Sequence, residues 1–193
     1  FDCVPEIKDV HTVTCKVETG MNEAVEFLTK NGHTRIAFIS GPKDLLANRE
    51  RMAGYQSSLK LLKIDYNPEF VVHSDLSKES SHYAMQNLLT LKDGPTAVIA
   101  FNDYVALDAM QYARKMNIRI NQDISFVSFA NLPVYNYMEN PPLASVEQFP
   151  YQQGQRATEL LLEILEGSKG HRAQGPFKKI ILEPRLFIHT RHN

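Results

Sequence analysis

Asn102 and Asp103 stand where side chains can do chemistry, because an apolar run ends just before them and a helical pattern begins just after. The run Pro95-Thr96-Ala97-Val98-Ile99-Ala100-Phe101, opened by Gly94-Pro95, has the length and composition of a buried strand. From Tyr104 to Met116, the residues Val105, Ala106, Ala109, Met110, Ala113 and Met116 recur at helical spacing. Asn102 is therefore expected at the carboxyl end of a strand, the edge at which open α/β sheets bind ligands. An asparagine there can also act as an N-cap, accepting from the free amides of the first helical turn. Position alone leaves both roles open.

Other polar groups are expected at the same edge: the loop Gly41 to Arg51, Ser74-Asp75-Leu76, Ala130-Asn131 and Glu147-Gln148. Amides, carboxylates and a guanidinium can hold a polar ligand. No nucleophile, base and orienting group come together among them, so a catalytic site is not expected and the chain is not read as an enzyme. The histidines (11, 33, 73, 82, 171, 189 and 192) are scattered over loops, helices and the tail. His33 follows the helix-ending Gly32, where a cation suits the helix dipole. Taken by themselves, Arg49, Glu50 and Arg51 read as a solvated helix face.

The elements that must position these groups alternate. Helices are expected over Glu18–Asn31, Asn48–Leu62, Ser77–Leu91 and Tyr104–Met116, with Gly32 ending the first and Ser77 capping the third. Strands are expected at Arg35–Ile39, Phe70–His73, Pro95–Phe101 and Ile124–Phe129. Strands roughly 30 residues apart suit parallel βα units joined by right-handed crossovers. The fold class is therefore α/β, a doubly wound, mostly parallel sheet. Tyr151 to Gly167 reads as a further helix with Ala157, Leu160, Leu161, Ile164 and Leu165 on one face. Ser168 to Pro176 reads as a polar loop, Lys178–Leu182 and Arg185–Ile188 as terminal strands, and His189 to Asn193 as a frayed tail.

Composition bounds the rest. The 193 residues are 43% hydrophobic, with 21 Lys and Arg against 22 Asp and Glu, so no basic nucleic-acid footprint exists. No apolar run of membrane-spanning length occurs, and no membrane partner is expected. Cys3 and Cys15 lack metal-site spacing and read as a reduced, cytosolic pair. Zinc, Walker, Gly-x-Gly-x-x-Gly and Gly-x-Ser-x-Gly motifs are absent, and no metal or cofactor is expected. A nucleotide-dependent enzyme on a Rossmann-like sheet lacks its phosphate-binding loop.

Six segments, in order, resemble the lactose-repressor/galactose-repressor (LacI/GalR) family of transcriptional regulators. They are Gly32-His33-Thr34-Arg35-Ile36-Ala37-Phe38-Ile39-Ser40-Gly41-Pro42, then Asn48-Arg49-Glu50-Arg51-Met52-Ala53-Gly54-Tyr55, then Pro95 to Asp103 with Ala106-Leu107-Asp108-Ala109. Asp123-Ile124-Ser125 through Phe129, Pro141-Pro142-Leu143-Ala144-Ser145-Val146-Glu147-Gln148 and Glu159-Leu160-Leu161-Leu162 complete the set. Each alone is weak; together, at family spacing, they are specific.

The resemblance implies a type I periplasmic-binding-protein-like fold with two α/β lobes and an effector cleft between them. It assigns 13–147 and 182–193 to a nearly complete carboxyl-terminal lobe, and 1–12 and 148–181 to remnants of the other lobe and the crossovers. The DNA-binding helix-turn-helix would lie outside this chain, so operator DNA would be a partner only through that missing domain. The implied protein is a cytoplasmic homodimer that binds a sugar or sugar-derivative effector. A periplasmic-type sugar receptor of an ABC transporter is the alternative, and upstream sequence would separate the two: a signal peptide or a helix-turn-helix.

The resemblance also assigns effector positions: Asp2 at the first crossover, Arg51 gripping effector oxygens, Leu76 where relatives place an aromatic, Asn102, and Gln148 at the second crossover. Asp103 is expected to serve the helix while Asn102 faces the cleft. Two positions depart from the family: Ala47 replaces a small hydroxyl residue, and Ala130, in Ser128-Phe129-Ala130, replaces an aspartate that accepts from sugar hydroxyls. A missing charged hydrogen bond costs about 1.5 to 3 kcal/mol, so the effector is expected to be no simple sugar or to be held differently, through Asn131.

Overall fold

The computed structural model describes residues 1–2, 9–167 and 176–189. Six strands build one sheet in the order β3-β2-β4-β5-β6-β8. These are β2 (Ile36–Ser40), β3 (Val71–His73), β4 (Ala97–Ala100), β5 (Ser125–Phe129), β6 (Ala144–Glu147) and β8 (Arg185–Ile188). All neighbours run parallel except β8, which is antiparallel to β6. The helices are α1 (Val17–Lys30), α2 (Leu46–Leu61), α3 (Lys78–Thr90), α4 (Asp103–Lys115) and α5 (Pro150–Gly167). They lie within two residues of the spans expected from periodicity.

Every residue of β2, β4 and β5 is buried, as a parallel sheet with helices on both faces requires. Alternate side chains feed separate cores. Ile36, Phe38, Ile99 and Val127 pack with Met21 and Leu28 of α1 and Tyr55 and Leu59 of α2. Ala37, Ile39, Val98 and Phe126 pack with Met85 and Leu88 of α3 and Val105 and Ala109 of α4. This is the doubly wound sheet that the strand rhythm implies.

Local signals account for the helix ends. Ser77 accepts from the amide of Ser80 at 3.2 Å, and Gly32 takes φ +87° while the His33 amide reaches back to Leu28 O at 3.0 Å. His33 departs from the reading as a dipole-favoured cation. Burial holds its pKa below the ordinary value, and its Nδ1 lies 3.0 Å from Thr96 Oγ1, so the neutral ring is favoured.

A second, two-stranded sheet pairs β1 (Thr12–Cys15) in parallel with β7 (Lys179–Leu182). β1 escaped the sequence reading, which put the start of the larger lobe near Val13; it joins none of the six strands. α5 packs on β1 with Leu160 buried, but Leu161 and Leu165 of its expected apolar face are 54% and 60% exposed. Cys15 is a free, buried thiol whose pKa burial pushes up to about 11; Cys3 lies outside the described residues, as do 168–175 of the expected polar loop and 190–193 of the tail.

His189 is not frayed. Its amide donates to Leu143 O at 2.9 Å, and its ring nitrogens lie 2.9 Å from Pro142 O and 3.2 Å from Asn131 Oδ1. Among the described residues, no helix is long and apolar enough to cross a membrane.

Candidate ligand-binding site

Strand order makes the site. From β2 the chain crosses through α2 to β3 on one side, then returns through α3 to β4 on the other. The carboxyl ends of β2 and β4 thus flank a topological switch point, where the loops diverge and leave a crevice. The Phe101 amide donates to Ile39 O at 2.8 Å and ties the two ends together. Buried Asn48 accepts from the Gly41 amide at 2.9 Å, which anchors the loop after β2 to the first turn of α2. A Cβ at Gly41 would lie 2.8 Å from the Phe101 ring, so glycine permits the close approach.

A cavity of about 280 Å³ opens there, lined by residues that include Asp2, Ala47, Glu50, Arg51, Asn102 and Gln148. Larger surface hollows lie along α5 and, at the amino ends of the strands, beside Arg35, Lys63, Asp65 and Asp93, away from the switch point. Arg51 is the cavity's organising group and is only 4% exposed. Its guanidinium carbon lies 4.5 Å from the Phe101 ring centre and 4.6 Å from that of Phe129, so two aromatic faces flank the cation. Nη2 donates to Gln148 Oε1 at 2.9 Å and Nη1 to Ala47 O at 3.2 Å. Gln148 is held in turn, its carbonyl accepting from Gln153 Nε2 at 2.8 Å. The reading of Arg49, Glu50 and Arg51 as one solvated face holds for Arg49 alone; Glu50 is half-buried.

Of the eight expected effector positions, the structure brings five together: Asp2, Ala47, Arg51, Asn102 and Gln148. Leu76, Ala130 and Asn131 do not line that cavity. Leu76 takes φ +74° and packs against the core beneath α3 and α4. Asn131 is engaged elsewhere: Nδ2 donates to Glu147 Oε2 at 3.2 Å and its amide to Ser145 Oγ at 3.0 Å. Sequence reasoning missed Glu50 and the aromatic plates Phe101 and Phe129. The one available signal was an aromatic at the carboxyl end of each of two successive strands.

Asn102 fills both roles left open for it, and Asp103 does not serve the helix as expected. Asn102 is the helix cap, its Oδ1 accepting from the Val105 amide at 2.9 Å, while the residue still borders the cavity. Asp103, fully buried, serves the neighbouring strands instead. It accepts from Ser128 Oγ at 2.5 Å, Ser145 Oγ at 2.9 Å and the Leu132 amide at 2.6 Å. Those bonds clamp a turn in which Ala130 and Asn131 take φ +107° and +55°, values that non-glycine residues hold only when their surroundings enforce them. Tyr135 completes the network, its hydroxyl 3.1 Å from Ser128 Oγ, and burial with the nearby Asp103 charge pushes its pKa well above the ordinary range.

A parallel sheet wound on both faces, with a polar cavity at its switch point, defines a ligand-binding module. The chain belongs to the periplasmic binding protein-like domain family, whose family model matches residues 25–186, and within it to the LacI/GalR type of regulator domain. The HTH-type transcriptional repressor CytR of Escherichia coli (strain K12) is 32% identical over 163 residues, which cover 84% of this chain and 47% of the repressor. A LacI-family regulatory protein from Chloroflexus aggregans superposes with a TM-score of 0.87 at 28% identity, covering 98% of this chain and 66% of that one. The transcriptional regulator CelR in complex with cellobiose gives 0.85 at 29% identity, covering 97% of this chain and 55% of CelR. The chain spans about half the length of the curated relatives it matches.

Proposed function

We propose that this chain is the effector-binding and dimerisation part of a LacI/GalR-type transcriptional regulator, in which a sugar or sugar derivative bound at the switch-point cavity controls operator binding. One observation carries the reading: five side chains from four separate segments, Asp2, Ala47, Arg51, Asn102 and Gln148, line one cavity around a buried guanidinium. CelR, a relative of the same fold, is complexed with cellobiose, which supports the ligand class. The curated relatives are named as repressors, which favours a cytoplasmic regulator over the transport receptor and over an enzyme.

In this reading the six-stranded sheet and α1 to α4 are the carboxyl-terminal lobe, and β1, β7 and α5 belong to the other. The region of the relatives outside the match would supply the second cleft wall and the helix-turn-helix. Ligand that binds the closed form more tightly shifts the population of DNA-competent dimers, and its effect is limited to that difference in affinity. The dimer surface would use α3, α4 and the segment Pro133–Tyr137, where Tyr83, Tyr104, Val134 and Tyr137 are exposed. Calorimetry of the full-length protein against mono- and disaccharides tests the reading: saturable binding that Arg51→Ala abolishes is expected. Binding that Arg51→Ala leaves unchanged would sink the assignment of this cavity.

A further inference from the structure

The cavity has an unbalanced charge inventory. Asp2 and Glu50 bring carboxylates to its lining and Arg51 brings a guanidinium. Arg51 already donates to Gln148 and Ala47 O and lies against the Phe101 and Phe129 rings, so part of its binding capacity is engaged inside the protein. Glu50 precedes it in α2, half-buried at the cavity wall. Burial holds the Glu50 carboxyl above its ordinary pKa, the Arg51 charge opposes that rise, and Glu18 adds to it. Glu50 and Arg51 are neighbours in α2 and line the same cavity, so the carboxylate offsets the guanidinium charge there, and a second acid, Asp2, stands on the same lining.

A phosphate or carboxylate entering this space would meet more negative than positive charge in a partly desolvated setting, where like charges repel more strongly than in water. A hydroxyl or amino N–H would instead find acceptors. Leu45, Leu46 and Val17 line the remaining wall and suit an apolar ring face. Resting on the effector-cleft reading above, we propose that Glu50 is a specificity-determining residue, which with Asp2 makes the cavity select a donor-rich ligand without an anionic group. Phosphorylated or carboxylated counterparts of that ligand are rejected. An acceptor is thereby supplied from α2, where Ala130 offers none.

Calorimetry on the full-length protein with matched probes tests this: ribose and ribose 5-phosphate, cellobiose and cellobionate, glucosamine and glucosamine 6-phosphate. Within any pair that binds, the uncharged or amino member is expected to bind at least about tenfold more tightly, somewhat beyond what one close charge pair gives in bulk water. Glu50→Gln, which keeps the shape and removes the charge, should reduce that ratio to within a few-fold. An anionic probe that binds the unmodified protein as well as its counterpart would overturn the proposal. So would a ratio that Glu50→Gln leaves unaltered while Arg51→Ala still abolishes binding, a result that keeps the site and removes only the selector. Failure of every probe to bind would overturn the cleft reading itself and this proposal with it.

Discussion

Arg51 donates a 2.9 Å hydrogen bond to the side chain of Gln148, joining the second helix to the segment that leaves the six-stranded sheet for α5. The bond spans 97 positions of sequence and ties α2 to the segment between β6 and α5. A ligand that engages Arg51 therefore reports directly to the connection between the two sheets.

Arg51→Lys should behave almost as badly as Arg51→Ala. A lysine keeps the charge but cannot present a planar face to Phe101 and Phe129 or a fork to Gln148 and Ala47 O. Loss of one charged hydrogen bond of about 1.5 to 3 kcal/mol corresponds to roughly 10- to 150-fold weaker ligand binding, measurable by calorimetry. Near-wild-type affinity in the lysine variant would show that charge alone matters.

Gly41→Ala should weaken ligand binding without touching the ligand. Its Cβ would press on the Phe101 ring at 2.8 Å, and that ring is one of the plates against Arg51. The expected cost is about 1 to 3 kcal/mol of stability, as for other overpacked cores, with lower affinity alongside. Denaturant titration and calorimetry on the same sample check both; a stable variant of unchanged affinity would argue that Phe101 yields freely.

Asp103→Asn should destabilise the fold. Three donors point at this fully buried carboxylate, and an amide turns an N–H toward at least one of them. A loss of about 2 to 4 kcal/mol is expected from urea denaturation, because a buried donor is left without an acceptor. Increased exchange of the Leu132 amide would locate the damage in the turn that Asp103 clamps.

Acid should destabilise the protein before its carboxylates titrate. His33 and His73 both have folded-state pKa values below the ordinary 6.5, each chiefly through burial, with Lys43 adding to the shift at His73. Between those lowered values and 6.5 the unfolded chain binds more protons than the folded one, so stability rises with pH there and is lost as pH falls through that window. Melting temperature should therefore decline as pH drops from neutrality below 6.5, and a His33→Gln, His73→Gln double variant should flatten that decline. An equally steep fall in the double variant would assign the effect to other groups. Asp75 and Asp123 have lowered pKa values and lose their contribution only at lower pH, below the ordinary carboxylate value.

Much of the architecture was legible because each core-facing element carries its period: alternating burial into two cores along the strands, and helical spacing in α1 and α4. β1 was not, since Thr12–Cys15 is short and its partner β7 lies far along the chain. Part of the site was legible through motif resemblance, which places Arg51, Asn102 and Gln148 at one cavity. The aromatic plates were not. Phe101 and Phe129 each lie two residues beyond the paired Ile99 and Val127, so only the register of β4 against β5 brings them to the same cation. Asp103 was misread because its partners Ser128 and Ser145 sit on two other strands, invisible to a reading of the local helix start.

β8 bears on how the chain is made as well as on its shape. Glu147 of β6 pairs with Arg185 of β8, and α5 and β7 are threaded between them. During synthesis β6 therefore presents an unpaired edge until Arg185–Ile188 has emerged, by which time the elements of the smaller sheet are already outside the ribosome. The two sheets are thus completed together, and a chain arrested shortly after α5 would expose a strand edge able to recruit another copy.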